Sequence, residues 1–201
     1  MKAYLVRHGQ TDSNLYGISQ GRNDTVLNAT GLLQAEAVAG ALRSKPIKAI
    51  YSSPLQRALQ TAAPLAQALG LEVTVDDDLV EMDQGELEGL NREQMQERHP
   101  DFLKAWVAGE ACDVPIPGGE SLSGVQQRMR AAFGRILAGH PDDEVVVVSH
   151  SLAIKTYLCL AGGLDLREFR GLAADPGGYA VLVFHGGRTA VEALNEIPLQ
   201  V

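Results

Sequence analysis

The sequence predicts an α/β fold, with a mostly parallel, doubly wound sheet, helices on both faces and an antiparallel edge strand. Short apolar segments alternate with helical patterns along the chain, which is the order of elements in such sheets. Residues 144–148 include an unbroken valine run, typical of a central parallel strand covered on both faces. Near the C-terminal end, residues 179–184 and 188–194 flank a glycine turn and predict a hairpin.

The first predicted elements are a strand at residues 2–6, an irregular loop and a helix. The apolar pattern of the strand stops at Arg7-His8-Gly9, so a cation and an imidazole stand at its carboxyl end. Residues 17–31 are rich in Gly, Asn, Asp and Thr, which indicates a loop whose backbone amides could bind an anion. A helix is expected from near Thr30 until Lys45-Pro46 ends it.

A second strand is predicted at residues 49–51, directly before a compact helix start. Ser53 is expected to be the N-cap, with Pro54 at the first helical position and Gln56 completing a capping box. That assignment places Arg57 in the first helical turn, beside the carboxyl end of the strand. A cation is therefore expected at this strand end as well.

The remaining elements complete the predicted sheet. A third strand is predicted at residues 71–75. Residues 79–120 are expected to form a small helical insertion over the site. A long amphipathic helix follows at residues 121–137, and a further helix follows the central strand at residues 151–160. We interpret residues 1–201 as a single domain that contains this insertion.

Composition disfavours several classes of protein. The chain has 201 residues, enough for one domain with a full core, and its formal net charge is −8. This charge argues against a nucleic-acid or anionic-membrane partner, since proteins that bind phosphate polymers present basic surfaces. Apolar runs are too short for a membrane span and the N-terminal segment lacks a secretory pattern, so a cytoplasmic protein is expected. Cys112 and Cys159 suggest neither a disulfide framework nor a metal site.

Four side chains suited to phosphate binding follow the predicted strand ends. Arg7 and His8 follow the first strand. Arg57 follows the second strand and His150 follows the central one. Since ligands bind at the carboxyl ends of the strands in open α/β sheets, these side chains are expected to meet in one crevice. Guanidinium groups bind phosphate oxygens in bidentate fashion, and an imidazole can act as a nucleophile or a donor, so the sequence predicts a pocket for a phosphate dianion.

These residues also carry a resemblance to a known family. The segment Leu5-Val6-Arg7-His8-Gly9-Gln10-Thr11 resembles the signature of the histidine phosphatase superfamily, in its phosphoglycerate-mutase-like branch. The arginine-histidine-glycine triplet alone is a weak signal, but further family motifs follow in the expected order over essentially the whole chain. They are Asn14, Gln20-Gly21-Arg22-Asn23-Asp24, Ser52-Ser53-Pro54-Leu55-Gln56-Arg57-Ala58, Glu81 with Gly85 and Glu88-Gly89, Gly118-Gly119-Glu120-Ser121, and Val148-Ser149-His150.

The resemblance implies a mechanism and a set of site residues. His8 would be the nucleophile that forms a phosphohistidine, and Glu81 would be the general acid for the leaving group and then the base for water. Arg7, Arg57 and His150 would hold the phosphoryl oxygens and offset their charge, so that neither a metal nor another cofactor is needed. The residues expected to add contacts to the substrate are Asn14, Gln20, Gly21 and Ser151.

Three functions are weighed on this basis. The first is a phosphomonoesterase that releases phosphate from a small soluble metabolite. The alternative is a cofactor-dependent phosphoglycerate mutase, but such mutases usually have a longer segment over the site. Here that segment is short, at about residues 92–117, which favours access of water and hence hydrolysis. A non-catalytic phospho-ligand-binding protein is disfavoured, because His8, Arg57, Glu81 and His150 are all present.

The substrate and the oligomeric state stay open at the level of sequence. The resemblance implies phosphoglycerates, phosphoserine, sugar phosphates and α-ribazole phosphate as candidate substrates. The residues that select among them are expected within residues 81–84 and 102–117. Departures from the family pattern stand at Gln84, Ser151 and Lys155. An apolar terminal hairpin or edge strand could support a homodimer.

Overall fold

The computed structural model of the protein describes residues 1–109 and 112–198. Its strands are β1 (Lys2–Arg7), β2 (Ile47–Ser52), β3 (Val73–Val75), β4 (Glu144–Ser149), β5 (Tyr179–His185) and β6 (Arg188–Glu196). Within the described residues they form a six-stranded sheet in the order β3-β2-β4-β1-β5-β6. The pairs β3-β2, β2-β4 and β4-β1 are parallel, whereas β5 runs antiparallel to both β1 and β6. The predicted mostly parallel α/β sheet with an antiparallel edge is confirmed, and the predicted hairpin forms that edge.

Helices of two kinds occur among the described residues. The α-helices are α1 (Asp12–Leu15), α2 (Ala29–Leu42), α3 (Gln56–Leu69), α4 (Arg92–Arg98), α5 (Pro100–Ala108), α6 (Leu122–Gly139) and α7 (Ser151–Gly162). The 3-10 helices are Asp77–Leu79, Gly85–Leu87 and Leu166–Gly171. In residues 1–109 and 112–198, no helix is long and apolar enough to cross a membrane.

The strands bury side chains on both faces of the sheet. In β4, Val145 and Val147 belong to a core that includes residues of α6 and α7. Val146 and Val148 belong to a second core that includes residues of α2 and α3. Because successive side chains of a strand point to opposite faces, a strand covered on both faces is apolar at every position. The valine run of β4 therefore occupies the doubly covered position that the sequence predicts.

The start of α3 differs from the predicted capping box. Its N-cap is Leu55, which makes no side-chain capping hydrogen bond, and the helix begins at Gln56. Ser53, the predicted N-cap, is fully buried, and its Oγ lies 2.7 Å from Nε2 of His150. The prediction is wrong because this hydroxyl is engaged by an imidazole that follows another strand. Arg57 nevertheless lies in the first turn of the helix, as predicted.

Strand β3 is shorter than the predicted strand at residues 71–75. α3 ends at Gly70, whose φ of 66° is in the left-handed region. The amide of Leu71 then donates to the carbonyl of Ala66 at 3.0 Å. Leu71 is therefore part of the helix cap, and its backbone is not available to the sheet.

Residues 79–120 contain α4 and α5, while residues 110 and 111 lie outside the described part of the chain. Met95 of α4 is partly buried and packs against the core that includes α6 and α7, as do Phe102 and Trp106 of α5. This packing supports the assignment of residues 1–201 to one domain with residues 79–120 as its insertion. The assignment itself stays a prediction.

Candidate active site

Three neighbouring parallel strands deliver the candidate site residues to one edge of the sheet. Arg7 at the end of β1 pairs in register with Ser149 at the end of β4. The His8 amide continues this ladder, since it donates to the Ser149 carbonyl at 3.0 Å. Arg57 enters from α3, which follows β2. The rings of His8 and His150 are 5.1 Å apart between centroids, so the predicted convergence of strand ends brings both histidines together.

A cavity of about 220 Å³ opens at this edge of the sheet. All of the predicted site residues line this cavity except His150. His150 is fully buried, and its ring lies beside that of His8. The predicted residues that line the cavity are Arg7, His8, Asn14, Gln20, Gly21, Arg57, Glu81 and Ser151.

The imidazole of His8 has one nitrogen engaged with the backbone. Its Nδ1 lies 2.7 Å from the carbonyl oxygen of Gly9. A carbonyl can only accept, so Nδ1 carries the proton and Nε2 keeps its lone pair. Burial lowers the pKa of His8 well below its ordinary value, and the charges of Arg7 and Arg57 lower it further. His8 is therefore a neutral imidazole with a free basic nitrogen at a cavity lined by guanidinium groups.

In the imidazole of His150 the other nitrogen, Nε2, is the one that is engaged. Its Nε2 lies 2.7 Å from Oγ of Ser53, and this Oγ accepts the Leu55 amide at 3.3 Å. Among the described residues the Ser53 hydroxyl has no acceptor other than Nε2, so we assign its proton to this bond and the ring proton to Nδ1. The pKa of His150 is also lowered well below its ordinary value, first by burial and then by the charge of Arg57. His150 therefore has Nδ1–H as its remaining donor.

The two arginines are held by backbone carbonyls. Arg57 is fully buried, and its Nη1 and Nη2 donate to the carbonyls of Asn23 at 2.7 Å and Gly21 at 2.8 Å. Arg7 donates from Nη1 to the carbonyl of Ala174 at 2.6 Å. These bonds orient each guanidinium group, and they leave further N–H donors for another acceptor.

Unpartnered donors cluster around His8. Among the residues that the structure describes, the buried side-chain nitrogen and oxygen atoms without a hydrogen-bond partner are Arg7 Nε, Arg57 Nε and His150 Nδ1. Buried polar atoms without a partner are rare in folded proteins, and such atoms often mark a place where a ligand completes the site. All three belong to residues predicted to bind phosphate, and an anion with several acceptor oxygens fits this donor set.

The carboxylate of Glu81 is anchored to backbone amides at the wall of the same cavity. Its Oε1 accepts the amides of Met82 at 2.8 Å and Ala153 at 3.1 Å. Its Oε2 accepts the amide of Leu152 at 3.2 Å. Leu152 and Ala153 lie in the first turn of α7, where N–H groups lack partners within the helix and favour a negative charge. The start of α7 thus positions Glu81 as well as His150, its N-cap.

The predicted substrate contacts lie on the loops around the cavity. The side-chain oxygen of Asn14 accepts the amide of Thr11 at 3.1 Å, and that of Gln20 accepts the Thr11 hydroxyl at 2.9 Å. Their NH₂ groups are the donors that remain for an anion. Gly21 has φ of 49°, in the left-handed region that favours glycine. Ser151, the first residue of α7, lines the cavity from the other side.

Of the three departures from the family pattern, two line the cavity and one does not. Gln84 and Ser151 both line it, and the Gln84 side chain hydrogen-bonds to Ser19. Lys155 does not line it and is partly buried one helical turn beyond Ser151, where burial first and then the charge of Arg7 lower its pKa. No described residue of the 102–117 segment lines the cavity, although substrate selection was expected there.

Sequence reasoning missed three residues that line the cavity and one supporting residue. Ile18 and Ser19 lie in the irregular loop, and Leu152 lies in the first turn of α7. Ser53 was identified as a helix cap and not as the partner of His150. The sequence does contain a signal that could have identified Ser53 as a site residue. Ser53 directly follows β2, just as His8 directly follows β1 and His150 directly follows β4.

Comparison with known proteins agrees with this geometry. The family model of the histidine phosphatase superfamily (branch 1) matches residues 3–197. Phosphoserine phosphatase 1 of Hydrogenobacter thermophilus is 34% identical over 195 residues, which are 97% of this chain and 92% of that protein. A probable phosphoglycerate mutase, GpmB, of Proteus mirabilis is 37% identical over 172 residues, which are 86% of this chain and 80% of that protein.

A solved structure with the same fold supports the assignment. Mycobacterial glucosyl-3-phosphoglycerate phosphatase in complex with VO3 superposes with a TM-score of 0.88 at 30% identity, covering 96% of this chain and 98% of that one. Some matched mycobacterial relatives are longer, and the chain spans about half (53%) of their length. The family match over nearly the whole chain, together with the identity to full-length relatives, shows that the chain belongs to the histidine phosphatase superfamily.

Proposed function

We propose that the protein is a phosphomonoesterase that hydrolyses a small phosphorylated metabolite through a phosphohistidine on His8. The observation that carries this proposal is the state of His8, whose Nδ1 donates to the Gly9 carbonyl while Nε2 keeps its lone pair. A neutral imidazole is a nucleophile, whereas an imidazolium is not. Arg7 and Arg57 line the same cavity and can bind the oxygens of the phosphoryl group that Nε2 would attack.

In the first step, Nε2 of His8 forms a bond to phosphorus and the bond from phosphorus to the ester oxygen breaks. The electron pair of that bond goes to the leaving oxygen, and Glu81, which must carry a proton for this step, supplies the proton that converts it to an alcohol. In the second step, Glu81 takes a proton from water, the resulting hydroxide bonds to phosphorus, and the bond to Nε2 breaks. Phosphate leaves and both residues return to their starting protonation states.

Positive charge for this transfer comes from the protein. Arg7 and Arg57 are oriented by backbone carbonyls, and His150 offers Nδ1–H as a neutral donor. Preorganised donors that face the phosphoryl oxygens stabilise the charge of the transition state. We therefore propose that the reaction needs neither a metal nor another cofactor, and that activity persists after dialysis against EDTA.

The proposed substrate class is a small phosphorylated metabolite. A cavity of about 220 Å³ suits a phosphoryl group and a small leaving group. One relative is named for phosphoserine and one solved structure for glucosyl-3-phosphoglycerate. Both names support phosphate esters of small hydroxylated acids as the first members of a substrate panel. We also propose that the protein is cytoplasmic and forms a homodimer. Light scattering of the purified protein would measure its oligomeric state.

Release of inorganic phosphate tests the proposed function. The purified protein is expected to release phosphate from p-nitrophenyl phosphate and from at least one of phosphoserine, 3-phosphoglycerate and a panel of sugar phosphates. His8→Ala is expected to abolish this release. Alkaline denaturation during turnover should trap phosphorylated wild-type protein, because phosphohistidine survives alkali. A wild-type protein without activity, or equal release by His8→Ala, would contradict the proposal.

A phosphoglycerate mutase is the second candidate function, since a probable mutase is among the relatives. A mutase would transfer the phosphoryl group from His8 to a second hydroxyl of the substrate rather than to water. Incubation with 3-phosphoglycerate and 2,3-bisphosphoglycerate separates the two functions. Formation of 2-phosphoglycerate faster than release of phosphate would favour the mutase.

A further inference from the structure

Arg128 and Glu120 form a shielded ion pair near the segment that carries Glu81. Arg128 lies on α6, and Glu120 stands directly before the N-cap of that helix. Nε of Arg128 donates to Oε1 of Glu120 at 3.0 Å, and Nη2 donates to Oε2 at 3.1 Å. The two side chains are 12% and 24% exposed. Bidentate pairs of this kind are directional and, when shielded from water, hold their geometry better than exposed pairs do.

Both partners of this pair bind the backbone on either side of Glu81. Nη1 of Arg128 donates to the carbonyl of Val80 at 2.6 Å, so the peptide bond that leads into Glu81 is held. Oε2 of Glu120 accepts the amide of Asp83 at 2.8 Å. The Glu120 amide also donates to the Asp83 carbonyl at 2.9 Å. The ion pair therefore hydrogen-bonds to the backbone at both ends of residues 80–83. Glu81 lies within this segment and lines the cavity.

Hydrogen bonds keep Glu120 ionised, and a glycine beside it allows residues 119–120 to approach the Glu81 segment closely. Burial acts to raise the pKa of Glu120, but the hydrogen bonds from Arg128 and the Asp83 amide outweigh it and lower that pKa. A Cβ at Gly119 would lie 2.3 Å from the Asp83 carbonyl oxygen, so only glycine permits the close approach of the two segments. The pair is thus an ionised connection between α6 and the Glu81 segment.

The pair also reaches the loop that surrounds the phosphate site. Nη2 of Arg22 lies 3.2 Å from Oε1 of Glu120. Arg22 follows Gly21, whose carbonyl accepts Nη2 of Arg57 at 2.8 Å. Glu120 therefore connects the segment of Glu81 with the loop that orients one of the phosphate-binding arginines.

We propose that Glu120 and Arg128 are positioning residues that hold Glu81 where it can transfer a proton to the leaving oxygen. Neither residue lines the cavity, so their effect must pass through the backbone of residues 80–83. A general acid has to lie within hydrogen-bond reach of the oxygen that it protonates, and small displacements reduce the rate strongly. This inference rests on the proposed role of Glu81 as general acid.

Comparison of two aryl phosphates tests this inference. Arg128→Met removes the donors and keeps an unbranched side chain. We expect kcat/KM, which reports the first step and not the hydrolysis of the phosphohistidine, to fall about tenfold or more for phenyl phosphate, whose leaving group is basic, and less than about threefold for p-nitrophenyl phosphate. Arg130→Met is the matched control, because Arg130 is an exposed residue of the same helix. It should leave both rates unchanged.

A double-mutant cycle checks that Arg128 acts through Glu81. In the Glu81→Gln background, Arg128→Met should cause no further loss with phenyl phosphate, because the proton donor is already absent. Independent, multiplicative losses would overturn the inference, as would an equal loss of Arg128→Met on both substrates. If Glu81→Gln itself shows no dependence on the leaving group, the proposed acid role of Glu81 fails and the positioning role fails with it.

Milder variants keep the test decisive if Arg128→Met does not fold by circular dichroism. Arg128→Lys keeps the charge but lacks the bidentate geometry. Glu120→Gln keeps the size but loses the charge. Both should show the same selective loss with phenyl phosphate at smaller amplitude. Loss without selectivity in these folded variants would overturn the inference.

Discussion

The Nε2 atom of His150 lies 2.7 Å from the Oγ atom of Ser53, although the two residues are 97 positions apart in the chain. Each residue directly follows a strand, Ser53 after β2 and His150 after β4, and these strands are neighbours in the sheet. In the described part of the chain the Ser53 hydroxyl has no acceptor other than Nε2, so its proton is assigned to that bond. This contact selects the tautomer of His150 that presents Nδ1–H as a donor.

We expect Ser53→Ala to reduce kcat/KM about tenfold, because the lost hydrogen bond frees His150 to adopt the other tautomer. The free energy of unfolding should also fall by about 1–3 kcal/mol, the cost of an unsatisfied buried nitrogen. Ser52→Ala is the control, since the buried Ser52 Oγ donates to the Ser53 carbonyl at 2.9 Å and contacts no histidine. It should lose stability and retain activity. Steady-state kinetics and urea denaturation measure both effects, and equal activity of the two variants would contradict the role of Ser53.

The buried neutral histidines predict a pH dependence of stability. The folded-state pKa of His8 and of His150 lies well below the ordinary value, mainly because of burial. Below about pH 6.5 the unfolded chain binds protons that the folded protein does not, so the free energy of unfolding decreases as pH falls. Each histidine contributes up to about 1.4 kcal/mol per pH unit between the two pKa values, and nothing above the unfolded value.

Urea denaturation at pH 7.0 and pH 5.5 measures this effect. His8→Gln should reduce the loss of stability between the two pH values by about 1 kcal/mol. His185→Gln is the control, because His185 is exposed, and it should leave the loss unchanged. The same pH dependence in His8→Gln and in the wild type would show that His8 titrates normally.

We expect Glu81→Gln to lower kcat/KM for alkyl and phenyl phosphates by about 10²–10⁴-fold, since kcat/KM reports the first step and not the later hydrolysis of the phosphohistidine. The loss with p-nitrophenyl phosphate should be much smaller, because its leaving group departs without a proton. Glu86→Gln removes a carboxylate that is 65% exposed in the neighbouring 3-10 helix and should leave both rates unchanged. Equal losses of Glu81→Gln on both kinds of substrate would refute its role as the acid.

Gly9→Ala is expected to destabilise the protein and to impair catalysis. A Cβ at Gly9 would lie 2.5 Å from the Gly31 carbonyl oxygen, a backbone atom of α2, so the turn after His8 would have to shift. The expected loss is about 1–3 kcal/mol in the free energy of unfolding. Gly40→Ala lies in the same helix, and beyond the neighbouring residues and backbone of that helix no described atom lies within 4 Å of the added Cβ, so this change should instead stabilise by about 0.5–1 kcal/mol. Thermal denaturation should show a lower midpoint temperature for Gly9→Ala and a higher one for Gly40→Ala than for the wild type.

The residue pattern alone was enough to predict the order of strands and helices and the convergence of Arg7, His8, Arg57 and His150, whereas Glu81 was implied by the family resemblance. Apolar runs marked β1 and β4, and their ends marked Arg7, His8 and His150. Arg57 was placed correctly in the first turn of α3 even though the predicted cap was wrong. These predictions succeeded because hydrophobic periodicity reports which segments are buried, and the parallel topology brings their carboxyl ends to one edge.

Tertiary structure decided which polar groups meet. The bonds from Ser53 to His150 and from Arg128 to the backbone before Glu81 both join residues whose pairing has no local sequence pattern. Each depends on the approach of separate elements within about 3 Å, the range in which a hydrogen bond forms. The sequence by itself thus determined the fold and predicted the residues of the candidate site. Only the packed chain decided the tautomers of its histidines and the support of Glu81, because hydrogen-bond partners are selected by proximity in space.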